Sequence, residues 1–308
     1  LQNEHPSYRE QKILETRNLM SAPIDCIDCR LLHACCVIER IDYGASSINW
    51  TVPPVDFYDK SGDDGCLIGC IPEGVVVAFR GTEAPNDSSV PVKQRLLDWC
   101  SDFEANLRPM GTLPGLVHNG YASSLEELWP QIEAKLMELL SPGATVFLTG
   151  HSKGGGMAVL AAARLHMECS HWATGMIDVA TFASPRAGND TFAAEFNKAF
   201  PACRRYEFGN DLVVHLPPHS NVMALLNMYV GDFSRWIDVD YQSVGELIYI
   251  AKDGVPVFNT QSVRGEWLAA ERLAGITEML ATLNFEQIVT NHRIDAGSGY
   301  MRGVCRNE

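Results

Sequence analysis

Three side chains far apart in the sequence have the types needed for one reaction. In "TGHSKGG", residues 149–155, Ser152 stands between Gly150 and Gly154, where an apolar run gives way to a helical one. A serine forced into a tight turn between strand and helix holds its hydroxyl clear of the backbone. Small residues two places either side let the two elements close around it. The helix that starts there aims N–H groups and the positive end of its dipole at the same point. That serine could be a nucleophile for acyl transfer; the bland reading of the same residues is a tight βα turn.

A nucleophilic serine needs a base, and the base needs an acid to orient it. In strand–turn–helix sites of this kind the order along the chain is Ser, then Asp or Glu, then His. Of the nine histidines, only His215, His219 and His292 lie beyond the strands that follow Ser152. His215 and His219 flank "LPPH", too near the candidate acid to come from another loop. His292, in "NHRIDAGSGYM", is expected in a polar, glycine-containing loop after the last helix, from which it can reach back over the sheet. For the acid, Asp211 ends a strand in "FGNDLV", Asp178 precedes its strand, and Asp190 reads equally well as a helix cap; Asp211 is preferred. An oxyanion needs two donors. One is the N–H of Lys153, just after the nucleophile, and the other comes from Thr82 at the end of "VVVAFRGT".

The elements that must place these groups are visible as patterns. "GVVVAFRGT" (74–82), "ATVFLTG" (144–150) and "IDVATFASPR" (177–186) are short continuous apolar runs, as expected for strands covered on both faces. "CRRYEFGND" (203–211) is a weaker strand, and 246–259 reads as a hairpin turning at Asp253-Gly254. Helical patterns occupy 8–43, the segment after Ser152, and 123–140. The last of these has overlapping capping boxes at Ser123/Glu126 and Ser124/Glu127, and Pro130 predicts a kink or a later start. Ala269, Leu273, Ile276, Leu280 and Leu283 line one face of another helix. Strands alternating with helices predict one α/β domain over 1–308, with a mostly parallel central sheet and helices on both faces. Its parts are an N-terminal helical segment (1–45), an aperiodic lid or surface loop (83–97) and a helical insertion before His292 (262–285).

The 308 residues carry 24 basic and 38 acidic side chains, a formal charge of −14. That balance excludes a nucleic-acid partner, which needs Lys and Arg to neutralise phosphates, and disfavours adsorption to anionic lipid. No stretch reaches the roughly 20 apolar residues of a membrane span. No signal peptide is visible, and because the chain opens on Leu1 a removed leader stays open. Secreted and intracellular locations both remain open, as does the oligomeric state. Ten cysteines, among them Cys26, Cys29, Cys35, Cys36, Cys66 and Cys70, read as structural thiols or a disulfide. A metal would want a second pair at finger-like spacing, and only His33 is close. No metal and no cofactor are expected.

From about residue 70 to 300 the motifs resemble the class 3 lipase family of the α/β-hydrolase superfamily. They are "VVVAFRGT", "DWCSD" (98–102), "VHNGY" (117–121), "TGHSKGG", "TFASPRAGN" (181–189), "FGNDLVVHLPP" (208–218) and His292, in the family's order. The resemblance implies an α/β-hydrolase fold and hydrolysis of carboxylic esters by Ser152, His292 and Asp211, with Thr82 and Lys153 as oxyanion hole. Asp102 matches an acidic position that braces the loop around the hole; it and His151 are expected one layer behind the reacting groups. The implied substrate is a small-molecule or lipid ester, with transient contact to a lipid surface. Two features depart from relatives that act on fat droplets. The 83–97 stretch is rich in Pro, Asn, Asp and Ser, with only Leu96, Leu97 and Trp99 resembling a lid face, which favours small or dispersed esters. The late helix either covers the sheet edge or walls an acyl site with Trp267 or Phe285 at its rim. The Lys153 cation either favours anionic head groups or is simply solvated. A phospholipase and a non-enzymatic scaffold are the competing readings.

Overall fold

The computed structural model describes residues 26–44, 48–82, 106–218, 220–231, 240–258 and 263–306. In chain order the elements begin with helix α1 (Cys26–Glu39) and strands β1 (Val52–Tyr58), β2 (Gly65–Ile71) and β3 (Gly74–Phe79). After β4 (Leu107–Arg108) and β5 (Val117–His118) come α2 (Asn119–Leu139), β6 (Thr145–His151), α3 (Lys153–Glu168) and β7 (Ile177–Phe182). Then follow β8 (Gly188–Asn189), α4 (Asp190–Ala199), β9 (Arg204–Phe208), α5 (Ser220–Tyr229) and β10 (Tyr241–Gln242). The chain continues through β11 (Glu246–Ile250), β12 (Pro256–Val257), α6 (Val263–Ala281), α7 (Phe285–His292) and α8 (Gly299–Val304).

The main sheet has the order β1-β2-β3-β6-β7-β9-β11-β12. Its centre, β3 to β11, is parallel, and antiparallel pairs close both edges. The apolar runs divide between two cores by the strand period of two. Along β3, Val75, Val77 and Phe79 face the core beneath α2, α3 and α4, whereas Val76 and Ala78 face the core beneath α1 and α8. Along β6, Val146 and Leu148 take the first side and Phe147 the second. Covering both faces makes each strand apolar throughout, as the sequence requires. The expected hairpin at 246–259 is present, with Tyr249 opposite Val257.

Three boundaries differ from expectation. Helix α1 stops at Glu39 rather than continuing to 43, because Arg40 takes a positive φ of 57° and the Ile41 N–H bonds the Cys36 carbonyl, a Schellman-type ending; residues 8–25 lie outside the described residues. Helix α2 starts at Asn119, ahead of both capping boxes. His118 caps it, accepting the Tyr121 N–H at 3.3 Å, so Ser124 is already helical and bonds the Gly120 carbonyl. Pro130 lies inside this helix rather than at its start. His292 is not in a loop: it is the last residue of α7, whose N-terminus Asn284 caps. The late helix α6 buries Ile276 and Leu280 in the core, and Phe285 is also a core residue rather than a rim residue. The Trp267 side chain lies outside the described residues.

Cys29 and Cys305 form a disulfide that ties α1 to the end of α8, 276 residues apart. Cys35, Cys36, Cys66, Cys70, Cys169 and Cys203 are free thiols. Burial pushes the Cys203 thiol up to about 12, leaving it inert at neutral pH. Closing so long a loop restricts the unfolded chain, so Cys29→Ser is expected to lower the unfolding free energy by about 2–5 kcal/mol. Urea titrations of the variant and the oxidised wild type would check this. No helix among the described residues is long and apolar enough to cross a membrane.

Candidate active site

The parallel register aligns the carboxyl ends of three central strands, with His151 beside Phe182 and Phe182 beside Tyr206. Ligand sites of open α/β sheets lie at these ends. Ser152 follows β6 directly, with φ 53° and ψ −132°, a strained backbone that an L-residue rarely adopts. The turn is locked by its N–H to the Phe182 carbonyl at 3.0 Å. Gly150 and Gly154 are required by contact: a Cβ on the first would sit 2.1 Å from the Gly154 oxygen, and on the second 2.2 Å from the Phe79 oxygen. The Ser152 Oγ is buried and has no hydrogen-bond partner among the described residues.

Asp211 follows β9 and is wholly buried. Its carboxylate accepts three donors: the Val213 N–H at 3.0 Å, the Tyr300 hydroxyl at 2.7 Å, and His292 Nδ1 at 2.9 Å. A carboxylate satisfied in this way holds the imidazole in one tautomer with Nε2 turned away from it. Burial first, and then Asp211, push the Tyr300 phenol well above its ordinary range, so it remains a donor.

The His292 ring lies 4.7 Å, centroid to centroid, from that of His151, the residue before the serine. His151 is buried between two acceptors. Its Nδ1 is 3.0 Å from both oxygens of Glu39, and its Nε2 is 2.8 Å from the His292 carbonyl. Burial, the largest influence, pushes the His151 pKa down, but the Glu39 carboxylate, the His292 carbonyl and Asp211 together outweigh it and the net shift is upward. Glu39 Oε1 also accepts the Gly81 N–H at 2.9 Å. Gly81 packs against the serine, where an added Cβ would come within 3.1 Å of Ser152 Cβ, and this brings Thr82 to the same strand ends.

The Lys153 ammonium is paired with Asp64 at 2.7 Å, and Ser124 bonds the same carboxylate. The cation is therefore neither simply solvated nor uncompensated. Thr82 borders two cavities. One of about 270 Å³ is lined by Glu39, Arg80, Thr82, His151 and His292 among others. The other, about 530 Å³, is bounded by Asp63, Asp64, Arg80, Thr82 and Lys153 with two glycines.

The structure thus brings Asp211 and His292 into hydrogen bond, and sets His151 against His292 beside the Ser152 turn. Asp102, the 83–97 stretch and His219 lie outside the described residues. The rejected candidates lie elsewhere: Asp178 pairs with Arg204 at 2.6 Å, Asp190 opens α4 with Asn189 as its cap, and His215 lies 3.3 Å from Arg272. Among the described residues one group has metal-ligand types, Cys29, His33 and Cys305, and two of its sulfurs are joined to each other. Tyr300 and Glu39 carry no signal in the sequence that marks them as site residues. They come from the first and last described helices, and no spacing links them to their partners.

Residues 76–221 match the family model described as Lipase (class 3). A secreted mono- and diacylglycerol lipase of Fusarium solani is 32% identical over 147 residues, which are 47% of this chain and 39% of that protein. A lipase of Caenorhabditis elegans is 28% identical over 151 residues, 49% of this chain and 40% of that protein. The chain thus spans about two fifths of the length of these curated relatives. Among solved structures, a triacylglycerol lipase whose catalytic centre is formed by a serine protease triad superposes with a TM-score of 0.55 at 18% identity, covering 77% of this chain and 83% of the other. A lipase from Rhizopus microsporus var. chinensis gives 0.53 at 18% identity, covering 75% of each. At that identity the likeness is one of fold, the α/β-hydrolase fold.

Proposed function

We propose, for a chain that belongs to the class 3 lipase family of α/β-hydrolases, that it hydrolyses carboxylic esters through an acyl-enzyme on Ser152. The observation that carries this is the buried Asp211–His292 hydrogen bond beside a serine held at φ 53°. In the reaction the Ser152 oxygen attacks the ester carbonyl as its proton passes to His292 Nε2. Asp211 stabilises the imidazolium and fixes its orientation. The tetrahedral oxyanion is held by the N–H of Lys153, at the amino end of α3, and by Thr82. Collapse returns the proton to the departing alcohol, and water repeats the sequence to release the acid. The Ser152 hydroxyl, unbonded among the described residues, fits this role, since such contacts tighten when substrate closes the site.

The 530 Å³ cavity beside Thr82 and Lys153 carries two carboxylates and two cations, which supports an ester with a polar, hydrated alcohol portion. The substrate is then a small or dispersed ester, with contact to lipid aggregates transient. Hydrolysis of nitrophenyl esters of increasing chain length is expected to peak at short to medium acyl groups. A maximum on emulsified long-chain triglyceride would overturn this substrate class, and no hydrolysis of any ester would overturn the activity.

A further inference from the structure

Glu39 is out of place by local rules. It is the last residue of α1, where the helix dipole disfavours a carboxylate by about 0.3–1 kcal/mol. It lies outside the residues that match the family model. Its side chain is about 10% exposed and that of His151 about 7%. Burying a carboxylate there needs compensation, and three contacts supply it: both oxygens on His151 Nδ1, and Oε1 on the Gly81 N–H. Gly81 permits the approach, because a Cβ there would lie 2.7 Å from Glu39 Oε1.

The chemistry of the two partners fixes the state of the His151 ring. The His292 carbonyl can only accept, so Nε2 carries hydrogen. With Glu39 as a carboxylate, its oxygens can only accept, and Nδ1 then carries hydrogen too. The ring satisfying both is an imidazolium. Its positive charge lies on the carbonyl that ends α7, where the dipole of that helix favours a cation.

We infer that Glu39 and His151 are positioning residues, a buried ion-paired bridge that locks the oxyanion strand end to the helix that carries the general base. The inference rests on the esterase reading. The path runs from Thr82 through Gly81, Glu39 and His151 to the His292 backbone. It sets the distance between the group that takes the proton and the group that holds the developing charge. Asp211 and His292 also face the His151 ring, Arg80, Arg293 and Asp295 line the adjoining cavity, and Cys35 lies close to Glu39. Of these, Glu39 alone bonds the ring by side chain.

The test uses the full chain, with the variants Glu39→Ala and Glu39→Gln. Glutamine can keep the geometry without the charge: its oxygen accepts from Gly81 and its amide donates to a neutral Nδ1. Glu39→Ala is expected to lower kcat on nitrophenyl butyrate by about 10- to 100-fold, the scale on which an ångström of misplacement acts, with KM changed by less than about twofold. Glu39→Gln is expected to recover most of that loss. In ¹⁵N-histidine spectra, the wild type should show one ring doubly protonated above the ordinary histidine range, and Glu39→Gln should abolish that signal. Wild-type kcat in Glu39→Ala, or a loss borne mainly by KM, would overturn the bridge. If Glu39→Ala does not fold, a wild-type spectrum with every histidine neutral at pH 8 overturns it equally. An inactive wild type that still shows the Glu39-dependent imidazolium would sink the esterase reading and leave the ion pair standing.

Discussion

Ser152→Ala is expected to lower kcat on nitrophenyl butyrate by about 10⁵- to 10⁶-fold, the scale on which serine hydrolases lose turnover with their nucleophile. Without Oγ no acyl-enzyme forms, and only the oxyanion donors and binding remain. The fold should persist, since the Oγ makes no hydrogen bond among the described residues. Ser152→Gly should be equally inactive yet more stable, by about 1–2 kcal/mol, because glycine adopts φ 53° without the strain a Cβ brings. Urea unfolding midpoints for the two variants, read beside their rates, check both halves. A Ser152→Gly protein that is less stable than wild type would mean that the turn stores no strain.

Asp211→Asn is expected to lower kcat by about 10⁴-fold near pH 7 with little change in KM. The side chain keeps its size, but one acceptor oxygen becomes an amide donor. Three donors converge on Asp211, and an asparagine can serve only some of them. The new amide faces His292 Nδ1 and favours the tautomer with hydrogen on Nε2, which cannot take the serine proton. Tyr300→Phe removes one of the three bonds and leaves the tautomer intact, so its loss should stay within about tenfold. Steady-state kinetics on the pair distinguish orientation of the base from simple disturbance of a buried site. Equal losses in both variants would favour the second.

The strands were legible because the central sheet is covered on both sides, so burial itself writes the apolar runs at 74–82, 144–150 and 177–186. The elbow was legible because two close backbone approaches admit no side chain at Gly150 and Gly154. His292 reads as a loop residue in the sequence because α7 is eight residues long, too short to show a helical period, and is followed by Gly297 and Gly299. The start of α2 is hidden in the sequence because histidine is an uncommon cap, whereas the Ser/Glu pairs it overrides have the usual cap pattern. Glu39 and Tyr300 leave no local trace. They meet His151 and Asp211 across 112 and 89 residues, and only the packing of α1 and α8 on the sheet brings them there. The cysteine pairing was hidden for the same reason: spacing among ten cysteines does not rank one bridge over another.

Labelling of the folded wild type by a fluorophosphonate, followed by peptide mapping of the adduct, tests most directly whether this serine is an activated nucleophile. One phosphonyl group per chain is expected, on Ser152, with labelling strongly slowed in Asp211→Asn. A wild type left unmodified beside a hydrolase that labels under the same conditions, or modified at a different serine, would contradict that role.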